Sequence, residues 1–420
     1  MPRTPLTLSL FLLPALALAA QDAAPPAEPA PREWIGGSPF TDWTRLSGDW
    51  AGWRTRLEDA GIEFAAGYTS DLAAAWSGDV RRRSSYATLM DVNVAFNLDT
   101  LVGLPRTILY ADAYRIGGDY PTGDVGDFQG LSNLQSATTV EQLAELWVET
   151  WLGEQFRVKV GKVDFNSEFA FHEIGGEFVN STGAIVPTIV NYPTYPNPAT
   201  SVNVFYVPNE QTYVGAAIYD GANANGIRTG SRGPRSFFSD DESDAYVLAL
   251  EVGRSWTGGE SWGSGRVSLG GYHHTASFAR FDGNGNERGV SGLWANFEQH
   301  LWRENPTEAD DQGVGVFVAY GLADDSAVAC GTTVAAGLEW RGALPSRDFD
   351  VLGFGMFHCD LADDPGAGTP ADETAFELLY KVQLTPAFSI KPELQYILHP
   401  GGQDGIDDVL VGLLRFDILF

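Results

Sequence analysis

From Ile62 to the C-terminus, apolar and polar residues alternate with a period of two, in one stretch after another. In Tyr86-Ala-Thr-Leu-Met-Asp-Val-Asn-Val-Ala-Phe-Asn-Leu98, one face holds Tyr86, Met90, Val92, Val94, Phe96 and Leu98, and the other Asp91, Asn93 and Asn97. Successive side chains of a strand point to opposite sides, so each stretch is a β-strand with one apolar and one wet face. The pattern returns where Leu248, Leu250 and Val252 alternate with Ala249 and Glu251, and where Leu378, Tyr380 and Val382 alternate with Glu377, Lys381 and Gln383. Counted through, the chain offers sixteen strands, near 62–76, 85–98, 106–117, 143–152, 156–164, 200–207, 211–219, 244–256, 264–276, 289–302, 313–321, 333–341, 349–358, 373–383, 387–397 and 407–420.

The links decide the architecture. Short ones, at Gly153 to Gln155, Pro208 to Glu210 and Thr385-Pro386, alternate with long ones at 118–142, 165–199, 220–243 and 359–372. Short turns at one end and long loops at the other mark a transmembrane barrel. The last strand carries Leu410, Leu414, Phe416, Ile418 and Phe420 on one face, an aromatic ending of the kind barrel-assembly machinery is expected to read. A soluble sandwich would alternate too, but accounts for neither the loop asymmetry nor the terminal Phe420. The expected fold is all-β: a 16-stranded antiparallel transmembrane β-barrel over 62–420, with the long loop 165–199 folded inward.

Ahead of the barrel, Arg3 precedes an apolar run from Leu6 to Leu18 and the small-x-small pattern Ala17-Leu18-Ala19. This reads as a cleaved signal peptide over 1–19, too short for a helical span. Pro25, Pro26, Pro29 and Pro31 then mark a disordered periplasmic linker over 20–45. Residues 46–61 read as a short periplasmic helix, capped by Asp49 and stopped by Gly61, with Trp50, Trp53 and Leu57 on a docking face. The net charge of −29 argues against nucleic acid as a partner, because phosphate contacts need cations. It fits a pore that favours cations, or acidic loops solvated at the cell surface.

Alternation also nominates a pore lining. Glu145, Trp147, Glu149 and Trp151 share one face of the fourth strand, opposite Leu146, Val148 and Leu152. Carboxylates facing lipid are costly, so the Glu/Trp face is expected in the lumen. The same argument turns Trp294, Asn296 and Glu298 inward on the tenth strand. Lys162, Asp164, Asn166 and Glu168 stand at the entry to the long loop, as solute contacts or as a hydrogen-bond network pinning that loop. Arg115 is a further lumen candidate. Arg81-Arg82-Arg83 falls in the first external loop, suited to bridging to anionic lipopolysaccharide or to the acidic loops rather than to solute contact. A hairpin turning around Leu344-Pro345 would make Cys330 and Cys359 direct cross-strand partners, close enough for a disulfide in an exported chain.

Catalysis finds little support in the sequence. His273 and His274 are adjacent and point to opposite faces. Asp240-Asp241-Glu242 and Asp407-Asp408 read as solvated turns. Asp282-Gly-Asn-Gly-Asn286 lacks the downstream Glu of a calcium loop and reads as a hairpin turn. No nucleophile motif, metal site or cofactor site is expected.

Several motifs, in order, resemble the OprB-type carbohydrate-selective porins. They are Leu46-Ser-Gly-Asp-Trp-Ala-Gly-Trp-Arg-Thr-Arg-Leu-Glu-Asp-Ala-Gly-Ile62, Glu145-Leu-Trp-Val-Glu149 and Gly161-Lys-Val-Asp-Phe-Asn-Ser-Glu-Phe-Ala170. Pro193-Thr-Tyr-Pro-Asn-Pro-Ala199, Tyr380-Lys-Val-Gln-Leu-Thr-Pro386 and Leu394-Gln-Tyr-Ile-Leu-His-Pro-Gly-Gly402 follow. The resemblance implies a 16-stranded barrel in the outer membrane of a Gram-negative bacterium, passing small carbohydrates by passive diffusion, with an inward-folded third loop. Aromatic faces and hydroxyl partners are what such a solute needs. The alternatives are a general or cation-selective porin, and a barrel enzyme or adhesin. Outer-membrane lipid and lipopolysaccharide are expected neighbours, and a homo-oligomer stays open.

Overall fold

The computed structural model describes residue 39 and residues 42–420, apart from 79–83, 120, 135, 240–242, 260–261, 306–311 and 365. The signal peptide, most of the linker, Arg81-Arg82-Arg83 and Asp240-Asp241-Glu242 lie outside the described residues.

Sixteen antiparallel strands close into one barrel, each hydrogen-bonded to its sequence neighbours and the last to the first. They are β1 (Ile62–Ala75), β2 (Ser84–Asn97), β3 (Thr107–Gly118), β4 (Val140–Leu152), β5 (Phe156–Val163), β6 (Ala199–Asn209), β7 (Thr212–Asp220) and β8 (Tyr246–Trp256). The second half comprises β9 (Gly265–Ala279), β10 (Asn286–Arg303), β11 (Gly313–Ala323), β12 (Cys330–Arg341), β13 (Val351–Leu361), β14 (Glu373–Thr385), β15 (Phe388–Leu398) and β16 (Val409–Leu419). Every expected strand is present, and closure leaves no unpaired edge.

Burial follows the alternation. Leu248, Leu250 and Val252 are exposed on the outside of β8, while Val247, Ala249 and Glu251 are buried inside. At the end where the long loops lie, Trp76, Tyr86, Tyr320 and Tyr396 stand out from the wall; at the other end Phe156, Tyr206, Trp302 and Trp340 do. Two aromatic girdles flanking an apolar band are how a barrel meets both bilayer interfaces. His273 and His274 fall on opposite faces as expected, the first bonded to Ser291 Oγ at 2.9 Å, the second fully buried.

The N-terminal segment docks on the closing seam, though not as its apolar residues suggested. Helix α1 (Trp53–Asp59) is short, and Asp49 Oδ1 accepts from Thr55 N at 2.9 Å and Thr55 Oγ1 at 2.6 Å. Trp53, expected on the docking face, is 60% exposed, and the buried residue is Arg54. Its guanidinium lies over the Trp50 ring and donates to Gly48 O and Phe420 O, at 2.9 and 3.1 Å. A guanidinium satisfies the open carbonyls at a chain end, which an indole cannot.

The cysteine pairing needs correcting. The link between β12 and β13 runs over 342–350, tightened by an Arg347–Asp350 ion pair at 2.7 Å, and a bulge falls at Gly331. Thr333 therefore faces Cys359, and Cys330 faces Leu361. Both cysteines are free thiols here, fully buried with Leu361 on the inner face.

At the seam itself, Asp71 of β1 sits opposite Arg415 of β16, paired twice at 2.7 and 2.8 Å. Ser132 Oγ donates to the same carboxylate at 2.6 Å, and Arg415 also donates to Asn133 Oδ1 at 2.7 Å. Both members of the pair are buried. Arg415→Met should cost about 3–5 kcal/mol by leaving the Asp71 charge alone. Adding Asp71→Asn should recover part of that loss, read as the temperature at which the barrel unfolds in detergent.

Candidate functional site

The inside of the barrel is not an open tube. Segment 119–139 and the third long loop, 164–198, fold into it and pack on the inner wall. Phe178 of the third loop meets Phe317 and Phe357 at ring distances of 5.8 and 5.6 Å. Gly337 and Gly355 make room: a Cβ on either would lie within 3 Å of the Phe178 ring. Farther along, Phe165 packs among Phe169, Tyr192 and Tyr219.

A buried loop without regular structure still has backbone N–H groups to satisfy. Here inward-facing glutamates of the wall accept them, one strand after another. Glu145 of β4 accepts from Asp164 N at 2.7 Å, and Glu251 of β8 from Ala170 N at 3.0 Å. Glu298 of β10 takes Glu173 N and Ile174 N at 2.7 and 2.9 Å. Glu339 of β12 takes Glu177 N at 3.2 Å, and Glu377 of β14 takes Val179 N and Asn180 N at 2.8 and 2.9 Å. Glu373, also on β14, holds the other inward segment through Phe128 N and Gln129 N at 2.7 and 2.9 Å. A hydrogen bond to a charged acceptor contributes about 1.5–3 kcal/mol, so the loop is firmly seated.

Cations complete the seating. Glu177 of the loop pairs with Lys381 at 2.7 Å and Lys391 at 2.9 Å. Burial alone would raise its carboxyl pKa, but the two ammonium groups outweigh burial and hold it below the usual range. Burial lowers the His172 imidazole pKa against the raising influence of Glu298. Its ring is stacked on Phe317 at 4.2 Å. Glu168 is buried between Arg157 and Lys159 of β5, and Lys159 reaches Glu149 at 3.3 Å.

The sequence-nominated residues divide accordingly. The inner face of β4 does carry Glu145, Trp147, Glu149 and Trp151, since Leu146, Val148 and Leu152 are exposed outside. Trp147 offers no free ring face, however: Tyr110 stacks on it at 4.7 Å and Lys159 Nζ stands 4.0 Å from its centre. Trp294 is 2% exposed, donates to Glu251 at 2.6 Å and serves packing. Asn296 reaches Phe171 O at 3.4 Å. Asp164 ties the loop ends together, accepting from Asn166 N, Thr194 Oγ1 and Tyr195 N at 2.7–2.8 Å, and Asn166 holds Ala184 O. Glu145, Asp164 and Asn166 thus belong to the network that pins the loop.

Two candidates leave the lumen altogether. Arg115 shares the outer face with Leu109 and Ala111, because Tyr114 and Ile116 point in; it pairs with Glu141 at 3.0 Å in the open. Lys162 has the parity of Phe156, Val158 and Val160, and donates at the rim to Leu143 O and Gly230 O, at 2.9 and 2.7 Å. Counting parity from Val160 would have found this, and would have nominated Arg157 and Lys159 instead. Asp91 and Asp112, from adjacent strands, also face in and are hydrogen-bonded to each other; among the described residues neither pairs with a cation, and Asn93 donates to Asp91 at 3.2 Å.

A closed barrel with a lipid-facing belt, a charged inner wall and a loop folded into the bore is a membrane channel of the porin class. The chain belongs to the carbohydrate-selective porin, OprB family, whose model matches residues 81–420. It is 25% identical to Porin B of Pseudomonas aeruginosa, over 91% of this chain and 92% of that one. The high-pH structure of Pseudomonas putida OprB shares the fold, with a TM-score of 0.81 at 20% identity, over 91% of this chain and all of that one. The low-pH structure of that protein gives a TM-score of 0.62. The protein is thus a porin of the outer membrane, a channel for passive diffusion of carbohydrates and other small solutes.

Since the glutamates hold the loop, Glu377→Ala should free the segment around Val179. Larger and noisier single-channel conductance is expected, with the folded barrel's gel mobility retained. Unchanged conductance would mean that this anchor does not restrain the bore.

Proposed function

We propose that sugars cross by weak contact with the inner wall, and that ions sharing the path are mainly cations. The observation that carries this is the pair of inward carboxylates Asp91 and Asp112, which stand outside the glutamate–loop network and lack a cationic partner among the described residues. Together with Asn93 they offer acceptors and a donor to hydroxyl groups. Charge in a narrow, partly desolvated bore is screened less than charge at an open surface. Weak binding is required, because a solute held tightly would not leave.

In this reading the protein performs no catalysis. The N-terminal 19 residues direct export and are removed, and the strand ending in Phe420 is the segment recognised during assembly. The buried Glu, Lys and Arg residues are framework, balanced against one another. A general cation-selective pore without sugar preference is the second reading, and the same two carboxylates favour it.

Reconstitution in planar bilayers distinguishes them. The mature protein should conduct, and millimolar to molar sugar should reduce the current reversibly. A salt gradient should give a zero-current potential of the cation-preferring sign, moving toward zero in Asp91→Asn/Asp112→Asn. Conduction with no sugar effect would favour the general pore, and an anion-preferring potential would defeat the cation assignment.

A further inference from the structure

The stacked Trp147 cannot offer a face to a sugar ring, but a cavity nearer the short-turn end can. It lies beneath the third loop, against the inner ends of β4 to β9, and measures about 240 Å³. Its walls bring together Trp151, Tyr213 and Phe171 with Arg157, Arg266 and the exposed Glu173. Pockets for drug-sized ligands measure about 300–1,000 Å³, so this space suits something smaller.

The chemistry of the walls narrows the ligand further. Arg157 is already paired with Glu168 and Glu149, and Arg266 with Glu298 at 2.9 Å. Their guanidiniums lie over Phe205 and Phe171, at 4.3 and 4.0 Å. Neutralised and held flat, they keep N–H donors but present no net positive field, so an anion gains nothing over a neutral solute. Aromatic surface takes the C–H face of a ring; guanidinium donors and the Glu173 acceptor take its hydroxyls.

We infer that this cavity is an exit subsite for one neutral pyranose ring, occupied after the solute has passed the loop. The assignment rests on the reading of the protein as a sugar-passing porin. It places the ring contact on Trp151, not on Trp147.

The test is block of single-channel current by glucose and by maltose in planar bilayers, each variant normalised to its own sugar-free current. Trp151→Ala removes an aromatic wall, and Ser255→Phe fills the cavity from β8. Folding is checked by the resistance of the barrel to unfolding on unheated gels. Each variant should raise the half-blocking glucose concentration by about five- to tenfold, and maltose should block the wild type less well than glucose. Unchanged glucose block in a folded variant, or maltose blocking as strongly as glucose, would overturn the subsite and leave the porin reading standing. No block of the wild type by either sugar would overturn the porin reading for sugars, and the subsite with it.

Discussion

Carboxylate oxygens of the barrel wall accepting backbone N–H groups of the third loop are the interaction on which the interior depends. The loop carries too little regular structure to satisfy its own amides, and inside the bore it has little bulk water to turn to. A glutamate can take two adjacent N–H groups, one on each oxygen as Glu377 does or both on one oxygen as Glu298 does. Without such acceptors, burying the segment would cost about 1–3 kcal/mol for each orphaned donor. The aromatic packing of Phe165 and Phe178 supplies hydrophobic gain, but it is the acceptors that make burial permissible.

This use of charge changes what an acidic sequence means. The excess of Asp and Glu looks, in composition, like solvated loops or a field for cations. Much of it is neither, because wall glutamates are spent on loop amides or on Arg and Lys. What we propose acts on a solute is a smaller set: Asp91, Asp112 and the aromatic cavity toward the short-turn end. The network and the proposed solute surface share a wall, and they meet at Arg157 and Arg266, which are paired in the one and line the other.

The barrel was legible because one-faced strands repeat, and parity is a property of neighbouring residues. All sixteen strands lie close to where alternation puts them. Parity also put Glu145, Trp147 and Glu149 inside, and would have put Arg115 and Lys162 outside had it been followed there. What alternation cannot give is how inner residues are occupied: Trp147 faces the lumen yet is covered by Tyr110 and Lys159, which come from other strands. The cysteine register failed for a related reason, since a bulge at Gly331 and a longer 342–350 link shift the pairing without any strong local signal. The docking of Arg54 on Phe420 O joins the two ends of the chain and leaves no trace in either.

The order of the loop's anchors has a consequence for biogenesis. Glu145 precedes the loop in the chain, but Glu251, Glu298, Glu339 and Glu377 belong to strands that follow it. The loop is therefore held by acceptors spread from Glu145 to Glu377 of the chain. Loop closure over such sequence separations is slow relative to local pairing, so hairpins can form before the bore is narrowed. Each even-numbered strand from β8 to β14 adds one more clasp, from Ala170 toward Asn180. The calibre of the channel thus depends on contacts of long sequence separation and not on the hoop of strands alone.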